Sequence, residues 1–160
     1  MSQAITAAIN GDVLEVHPGV YTFANDTIQS DMVSLTIRGA GPPEAIVFSA
    51  VQPLQLLVEN VLLQNVTFMG GVEVRKNATL DNVVVNSTAH DDRVGIHVIA
   101  TTLTTQSTVT VFSGTAGDSQ LTGNAMQLGL GGHVVANGPL VLHTQGSNHH
   151  ILFAARNRVP

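Results

Sequence analysis

The chain has 160 residues, of which 44% are hydrophobic and 11% are charged. That length corresponds to about one domain, and the high hydrophobicity with low charge excludes a disordered chain. The formal net charge is −5, and the six basic residues are dispersed, so the sequence lacks the basic surface that nucleic acid requires. Cysteine is absent and no apolar run approaches the ~18 residues of a membrane span, so we predict neither disulfides nor membrane insertion.

The first predicted element is a short amphipathic helix at the N terminus. Ser2 is a typical N-cap residue, Ile5 and Ile9 fall on one helix face, and Gly11 is typical of the position just beyond a helix end. We therefore predict a helix from about Gln3 to Asn10, within a capping segment 1–11 that covers one end of the domain.

From residue 12 onward the sequence consists of short strand patterns separated by turn residues. Asp12–Val16 alternates polar and apolar residues, Pro18 and Gly19 form a turn, and Val20–Phe23 resumes the extended pattern. The later predicted strands are Ser34–Ile37, Ala45–Phe48, Gln55–Val58, Leu62–Phe68, Val72–Val74, Thr79–Val85, Gly95–Ile99, Thr108–Phe112, Ala125–Leu128, His133–Ala136, Pro139–His143 and Ile151–Ala154. No second segment has a helical period, which leaves a β-sandwich, a barrel or a β-solenoid.

An internal repeat favours the solenoid. Leu63–Phe68 and Leu80–Val85 share the pattern Leu, polar, Asn, Val, any residue, large apolar residue, and their asparagines are 17 positions apart. In a solenoid, equivalent residues of successive turns stack, so we predict that Asn65 and Asn82 bond to each other at a corner. We therefore predict a single all-β domain over 1–160, a right-handed parallel β-helix with coils over 12–155 and a tail at 156–160.

Three stretches resemble one known group of proteins. Ala4–Tyr21 resembles the capping helix, first strand and Pro-Gly-x-Tyr turn of the pectin-lyase-like superfamily. Leu35–Gly41 resembles its second strand and glycine turn, and Gly95–Val98 resembles the start of its later coils. The resemblance implies the right-handed parallel β-helix. The superfamily includes lyases, hydrolases, esterases, tailspikes and adhesins, so the fold alone does not assign an activity.

The catalytic signatures of the enzymatic branches of that superfamily are mostly missing. Of the polygalacturonase pattern, only Asp91-Asp92 and half of a Gly-His-Gly element, Gly132-His133, are present. The resemblance therefore favours a non-catalytic structural or binding module that contacts glycans, at the cell surface, on a virion or otherwise outside the cell. Related tail and fibre proteins form side-by-side trimers, which implies a homotrimer here.

One dense polar cluster supports an enzymatic alternative. His90, Asp91, Asp92 and Arg93 lie between two predicted strands, and His97 follows them. Carboxylates and histidines can act as general acid and base on a glycosidic bond, as in a small polysaccharide lyase or glycoside hydrolase. A solvated turn explains the same residues equally simply.

Three further patterns have simpler explanations than a binding site. Four C-terminal histidines can ligate zinc only if neighbouring coils align them, and alternating threonines suit an ice-binding face but are also good strand residues. Four Asn-x-Ser/Thr sequons begin at Asn25, Asn65, Asn77 and Asn86. We predict no metal and no cofactor. The histidines are His133, His143, His149 and His150, and the threonines are Thr101, Thr102, Thr104, Thr105, Thr108 and Thr110.

Overall fold

The structure is a computed structural model that describes residues 1–23, 27–28, 33–50, 52–88, 94–114, 124–144 and 151–153. It is an all-β structure; besides strands, the described residues form a short helix, α1 (Ser2–Ala7), and a 3-10 turn (Pro43–Ala45). The strand pairs of the described residues are parallel, which an antiparallel β-sandwich does not allow. The pairing is compatible with a β-helix.

The strands form three columns, here named A, B and C, in which each strand pairs with the next member of its column. Column A comprises β1 (Val13–Val16), β4 (Leu35–Gly39), the first half of β7 (Val61–Met69), the first half of β9 (Ala78–Asn86), β11 (Thr102–Thr105) and β14 (His133–Ala136). Column B comprises β2 (Gly19–Thr22), β5 (Ile46–Ser49), the second halves of β7 and β9, β12 (Val109–Ser113) and β15 (Leu140–Thr144). Column C comprises β3 (Thr27–Ile28), β6 (Leu54–Leu56), β8 (Val72–Val74), β10 (Val94–Val98), β13 (Asn124–Leu128) and β16 (Ile151–Phe153).

In strands such as β4, β5, β6 and β12, side chains alternate between a buried and an outer position, because successive residues of a strand point to opposite faces of the sheet. The buried positions stack in register. Ile37 of β4 pairs with Leu63 of β7, which pairs with Leu80 of β9, and all three are fully buried. Each such side chain contributes roughly 1.5–3 kcal/mol by leaving water. The core is therefore one aliphatic stack between the columns.

Aromatic rings occupy the core of the first turns of column B. The rings of Tyr21 and Phe48 lie 6.0 Å apart between centroids, and those of Phe48 and Phe68 lie 5.4 Å apart. Phe23 contacts Phe48 edge to face, also at 5.4 Å. These edge-to-face contacts each add about 0.5–1.5 kcal/mol to the burial of the rings.

The predicted asparagine corner is confirmed. Asn65 and Asn82 divide β7 and β9 between columns A and B, and both have φ of 53°, in the left-handed region. The side-chain amide of Asn82 donates a hydrogen bond to Oδ1 of Asn65 over 2.8 Å. Asparagine tolerates this backbone region better than most residues, which explains its use at the corner. Gly39, at the end of the neighbouring strand β4, lies beside Asn65. A Cβ added at Gly39 would overlap the Asn65 carbonyl oxygen.

The prediction of the N-terminal helix was correct in kind and wrong in extent. The helix spans Ser2–Ala7 rather than Gln3–Asn10, Met1 rather than Ser2 is its N-cap, and Ile9 is 69% exposed although Ile5 is buried. The helix ends early because a turn closes around Asp12, whose carboxylate accepts a hydrogen bond from the Ile9 backbone N–H over 2.9 Å. Helix α1 therefore covers the end of the core with Ile5, while Ile9 lies beyond the helix and is exposed.

Most predicted strands are confirmed to within two residues at each end. Two strands were missed. The pair Thr27–Ile28 is too short to show a pattern, and Thr102–Thr105 was interpreted only as a threonine array. Residues 154–160, which include the predicted tail, lie outside the described residues.

Candidate functional site

Of the five residues predicted as a site, only His97 is described by the structure. His90, Asp91, Asp92 and Arg93 lie outside the described residues, so their predicted grouping with His97 stays a prediction. His97 lies in the middle of β10, with Ile96 and Val98 fully buried on either side, and points to the outer face of column C.

His97 belongs to a row of polar side chains across column C. The register places Gln55 of β6 beside Glu73 of β8, Glu73 beside His97 of β10, and His97 beside Gln127 of β13. Each of the four is half-buried, and its neighbours along the strand are mostly apolar and buried. Because paired strands lie about 4.8 Å apart, the row extends over roughly 14 Å. We name Gln55, Glu73, His97 and Gln127 the column C row.

Glu73 is the centre of the polar contacts in this row. Its Oε1 accepts a hydrogen bond from Nε of Arg75, which follows two residues later in the chain, just beyond the end of β8. Its Oε2 lies 3.7 Å from Nδ1 of His97, which is within ion-pair distance but too long for a hydrogen bond. The side chain of Glu73 is 16% exposed, that of His97 27% and that of Arg75 48%. The carboxylate is thus the most enclosed group of the three and keeps acceptor capacity on Oε2.

The protonation of His97 is shifted by its surroundings. Burial lowers the pKa of His97 below its ordinary value of 6.5, and the positive charge of Arg75 lowers it further. The Glu73 carboxylate opposes this shift but does not overcome the loss of hydration. His97 is therefore a neutral imidazole at pH 7, with one nitrogen that donates and one that accepts a hydrogen bond.

Glycine keeps space free next to His97. A Cβ on Gly129 would lie 3.3 Å from Nε2 of His97 and 3.4 Å from the Val98 carbonyl oxygen. Any side chain at position 129 would therefore press on the imidazole. The backbone N–H of Gly129 donates to the Val98 carbonyl over 2.8 Å, which holds the glycine at this distance.

The sequence analysis missed Glu73, Gln55 and Gln127. Each stands between apolar residues in a short strand, and this isolated polar position is the only signal that was available. It shows that the residue faces outward, but it does not show which polar residues of distant strands lie side by side. The pairing of Glu73 with His97 depends on the lengths of the intervening turns.

Column A carries a second polar arrangement. Arg38 donates from Nε to Oε1 of Gln64 over 3.0 Å, and Gln64 donates from Nε2 to Oδ2 of Asp81 over 2.7 Å. A depression of about 290 Å³ lies on the same column. It is lined by Asn60, Val61, Leu62, Asn77, Ala78, Thr79, Thr102 and Thr104. Its two asparagines are already hydrogen-bonded: Asn77 donates to Oε1 of Glu59 and accepts from the Thr101 hydroxyl, and Asn60 donates to the Val33 carbonyl oxygen.

The other predicted patterns are dispersed in the structure. The outer threonine row of column A, with Thr36, Thr79 and Thr104, is interrupted by Leu62. His143 stacks on Phe112 at 4.8 Å in column B, while His133 lies in column A; His149 and His150 are outside the described residues. Within the described part of the chain, no three residues of the types His, Cys, Asp and Glu come together to hold a metal ion.

Comparisons with known proteins identify no relative. No family model matches the chain, and neither the curated proteins nor the solved structures contain a significant match. The resemblance to the pectin-lyase-like superfamily therefore rests on the sequence motifs alone. Among the described residues, no helix has the length and apolar character needed to cross a membrane.

Proposed function

We propose that this chain is a right-handed parallel β-helix of the pectin-lyase-like type that serves as a non-catalytic structural or binding module, with a glycan as ligand. The observation that carries the proposal is the column C row, in which an amide, a carboxylate, an imidazole and a second amide lie side by side on strands whose other residues are mostly apolar. The role is that of a surface, virion or adhesin-type component outside the cell.

The order of strands along the chain supports the β-helix. The columns are visited in the order A, B, C throughout, with β7 and β9 each serving A and B in turn. In a solenoid each turn of chain contributes one strand to each column and pairs only with its neighbours. The Asn65–Asn82 bond supports the same arrangement, since it joins equivalent corners of successive turns.

The chemistry of the row supports a glycan as the ligand. Sugar hydroxyls both donate and accept hydrogen bonds, and the row offers both functions. Gln55 and Gln127 have an amide donor and a carbonyl acceptor each, Glu73 accepts, and neutral His97 does one of each. Because the backbone of the row is fixed by strand pairing, little backbone entropy is lost when the row binds a ligand. A row of about 14 Å is long enough to lie along an oligosaccharide.

The Glu73–His97 pair gives one reason to keep the enzymatic alternative. A neutral imidazole next to a carboxylate is suited to act as a general base, as a polysaccharide lyase requires at the carbon beside a uronate carboxyl group. Among the described residues, Glu73 is the only carboxylate that contacts His97. A glycoside hydrolase requires two carboxylates, so this pair supports the lyase and not the glycoside hydrolase.

A glycan array with purified protein tests the proposal. We expect binding by the wild type, a loss of at least tenfold in affinity for Gln127→Ala, and no change for the control Gln106→Ala, an exposed glutamine of column A's edge. The absence of any glycan ligand would refute the binding role. Release of unsaturated products from polyuronides by the wild type, abolished by His97→Ala, would establish the lyase instead.

Self-association is the second part of the proposal. The positions of column B that alternate with the core form one row of β-branched residues in register. Val20, Val47, Val84, Thr110 and Val141 are at least partly exposed, whereas Thr67 in the middle of the row is buried and its hydroxyl donates to the Pro43 carbonyl oxygen. This row bears no charge, whereas the chain as a whole repels its copies with a net charge of −5. We propose a side-by-side homotrimer through this face. Light scattering is expected to give a trimer mass that Val84→Arg reduces; a monomeric wild type would contradict it.

A further inference from the structure

We infer that the column C row selects neutral glycans and rejects polyuronides. The inference rests on the proposed glycan-binding function and specifies the ligand class of the same site. It also separates the two functions proposed above, because a lyase of this type acts on an acidic polymer, whereas the inferred ligand has no carboxyl groups.

Among the described residues, the charges of the row and of the cation paired with it sum to zero. Glu73 is negative, Arg75 is positive and paired with it, and the two glutamines are uncharged. His97 is neutral at pH 7 because its burial and Arg75 disfavour the imidazolium ion. A polyuronide carries a negative charge on every sugar, and the row offers no unpaired positive charge to match it.

A second cation of the described residues is also matched by a carboxylate. Lys76, adjacent to Arg75 in sequence, lies with its Nζ 3.5 Å from Oε2 of Glu59. Both cations therefore have an anionic partner within the chain. A uronate that approached them would have to compete with Glu73 or Glu59, and it would do so against the net charge of −5 of the whole chain.

The enclosed carboxylate of Glu73 repels an anion directly. Glu73 is only 16% exposed, so its charge is less screened by water than a surface carboxylate would be. Its Oε2 faces the space beside His97 without a hydrogen bond from that residue, at 3.7 Å. A sugar hydroxyl can donate to this oxygen, and a uronate carboxylate cannot. The same atom thus attracts the neutral ligand and excludes the acidic one.

Two substitutions separate charge from shape at this site. Glu73→Gln removes the negative charge, keeps an acceptor for Arg75 Nε and leaves the guanidinium charge unmatched. Gly129→Ala keeps every charge and places a methyl group 3.3 Å from His97 Nε2. Gly41→Ala is the matched control for the glycine change, because a Cβ there meets nothing closer than 3.6 Å.

The test is a titration of wild type and variants with neutral hexose oligomers and with an oligogalacturonate of equal length, at pH 7.5 and at low and physiological salt. The wild type is expected to bind a neutral oligomer and not the oligogalacturonate. Glu73→Gln should weaken the neutral ligand at least tenfold and create measurable oligogalacturonate binding that added salt weakens. Gly129→Ala should weaken the neutral ligand, and Gly41→Ala should bind like the wild type.

The possible failures are distinguishable. If the wild type binds the oligogalacturonate as well as or better than the neutral oligomers, the glycan-binding function stands and the inferred selectivity is wrong. Binding of neither class, by protein whose circular dichroism and unfolding transition show that it is folded, overturns both the proposed function and the inference. Binding of neutral oligomers that Glu73→Gln and Gly129→Ala leave unchanged would place the ligand elsewhere and overturn the inference.

Discussion

The asparagine corner offers the sharpest test of how the chain turns from column A to column B. Asn82 has φ of 53° and donates its side-chain amide to Asn65 over 2.8 Å. Substitution with glycine removes the side-chain hydrogen bond but leaves the left-handed backbone unstrained. Substitution with alanine removes the same bond and also places a Cβ in the left-handed region. The difference between the two variants therefore isolates the backbone conformation.

The magnitudes follow from these two contributions. Loss of the partly buried hydrogen bond costs about 0.5–1.5 kcal/mol in both variants. The left-handed conformation costs alanine a further ~1–2 kcal/mol, a cost that glycine does not have. We therefore expect Asn82→Gly to lose about 1 kcal/mol and Asn82→Ala about 2–3 kcal/mol of unfolding free energy. The unfolded chain of the glycine variant has greater conformational freedom, which slightly reduces the difference in unfolding free energy between the two variants.

Equilibrium unfolding in urea, followed by circular dichroism, measures both variants against the wild type. The control is Asn137→Ala, an exposed asparagine whose φ is negative. This control should leave the unfolding free energy unchanged within about 0.5 kcal/mol. If Asn82→Ala were as stable as Asn82→Gly, the argument from the left-handed backbone would be refuted. If both matched the wild type, the hydrogen bond between the asparagines would contribute nothing to stability.

Four further predictions follow from single positions. Ala100 has φ of 54°, so Ala100→Gly should raise the unfolding free energy by about 0.5–1 kcal/mol in the same urea assay, and an unchanged or lower value would contradict it. Thr105 is fully buried with an unpartnered hydroxyl, so the isosteric Thr105→Val should stabilise by about 1 kcal/mol; a destabilised variant would show that the hydroxyl has a partner. Gly39→Ala would overlap a backbone carbonyl oxygen of β7 and should cost about 1–3 kcal/mol or prevent folding, whereas wild-type stability would disprove the close approach. The pKa of His97 is lower in the folded chain than in the unfolded chain, so the unfolded chain binds a proton more readily and the unfolding free energy should fall as the pH drops below 6.5. His97→Gln should reduce that fall between pH 7.5 and 5.5. An identical pH dependence in the variant would refute the lowered pKa of His97.

Much of the local structure could be predicted because it depends on neighbouring residues. Alternation of apolar and polar residues predicted the strands, and turn residues such as Pro18 and Gly19 predicted the breaks between them. The repeated pattern around Asn65 and Asn82 predicted which two positions meet, because the two copies lie on the paired strands β7 and β9. Helix α1 was predicted too long because the contact that ends it, from Ile9 to Asp12, competes with a propensity that continues through Asn10.

The candidate site could be predicted only in part because its members lie on successive strands of one column, and the number of residues between such strands varies. Equivalent residues are 26 positions apart for Arg38 and Gln64 but 17 apart for Gln64 and Asp81. With such irregular turns, no period in the sequence brings Glu73 into register with His97. The grouping of His97 with His90–Arg93 was based on closeness in sequence, and in the structure the described partners of His97 come from another strand.

By itself the amino-acid sequence determined that the chain is a β-protein with an aliphatic core, where most of its strands lie, and that asparagine occupies its tight corner. These features follow from local conformational preferences and from the burial of alternate residues. Only the tertiary structure decided which outer side chains are neighbours, because the lengths of the turns determine how the parallel strands align. That alignment partly buries both Glu73 and His97 and brings them within 3.7 Å of each other.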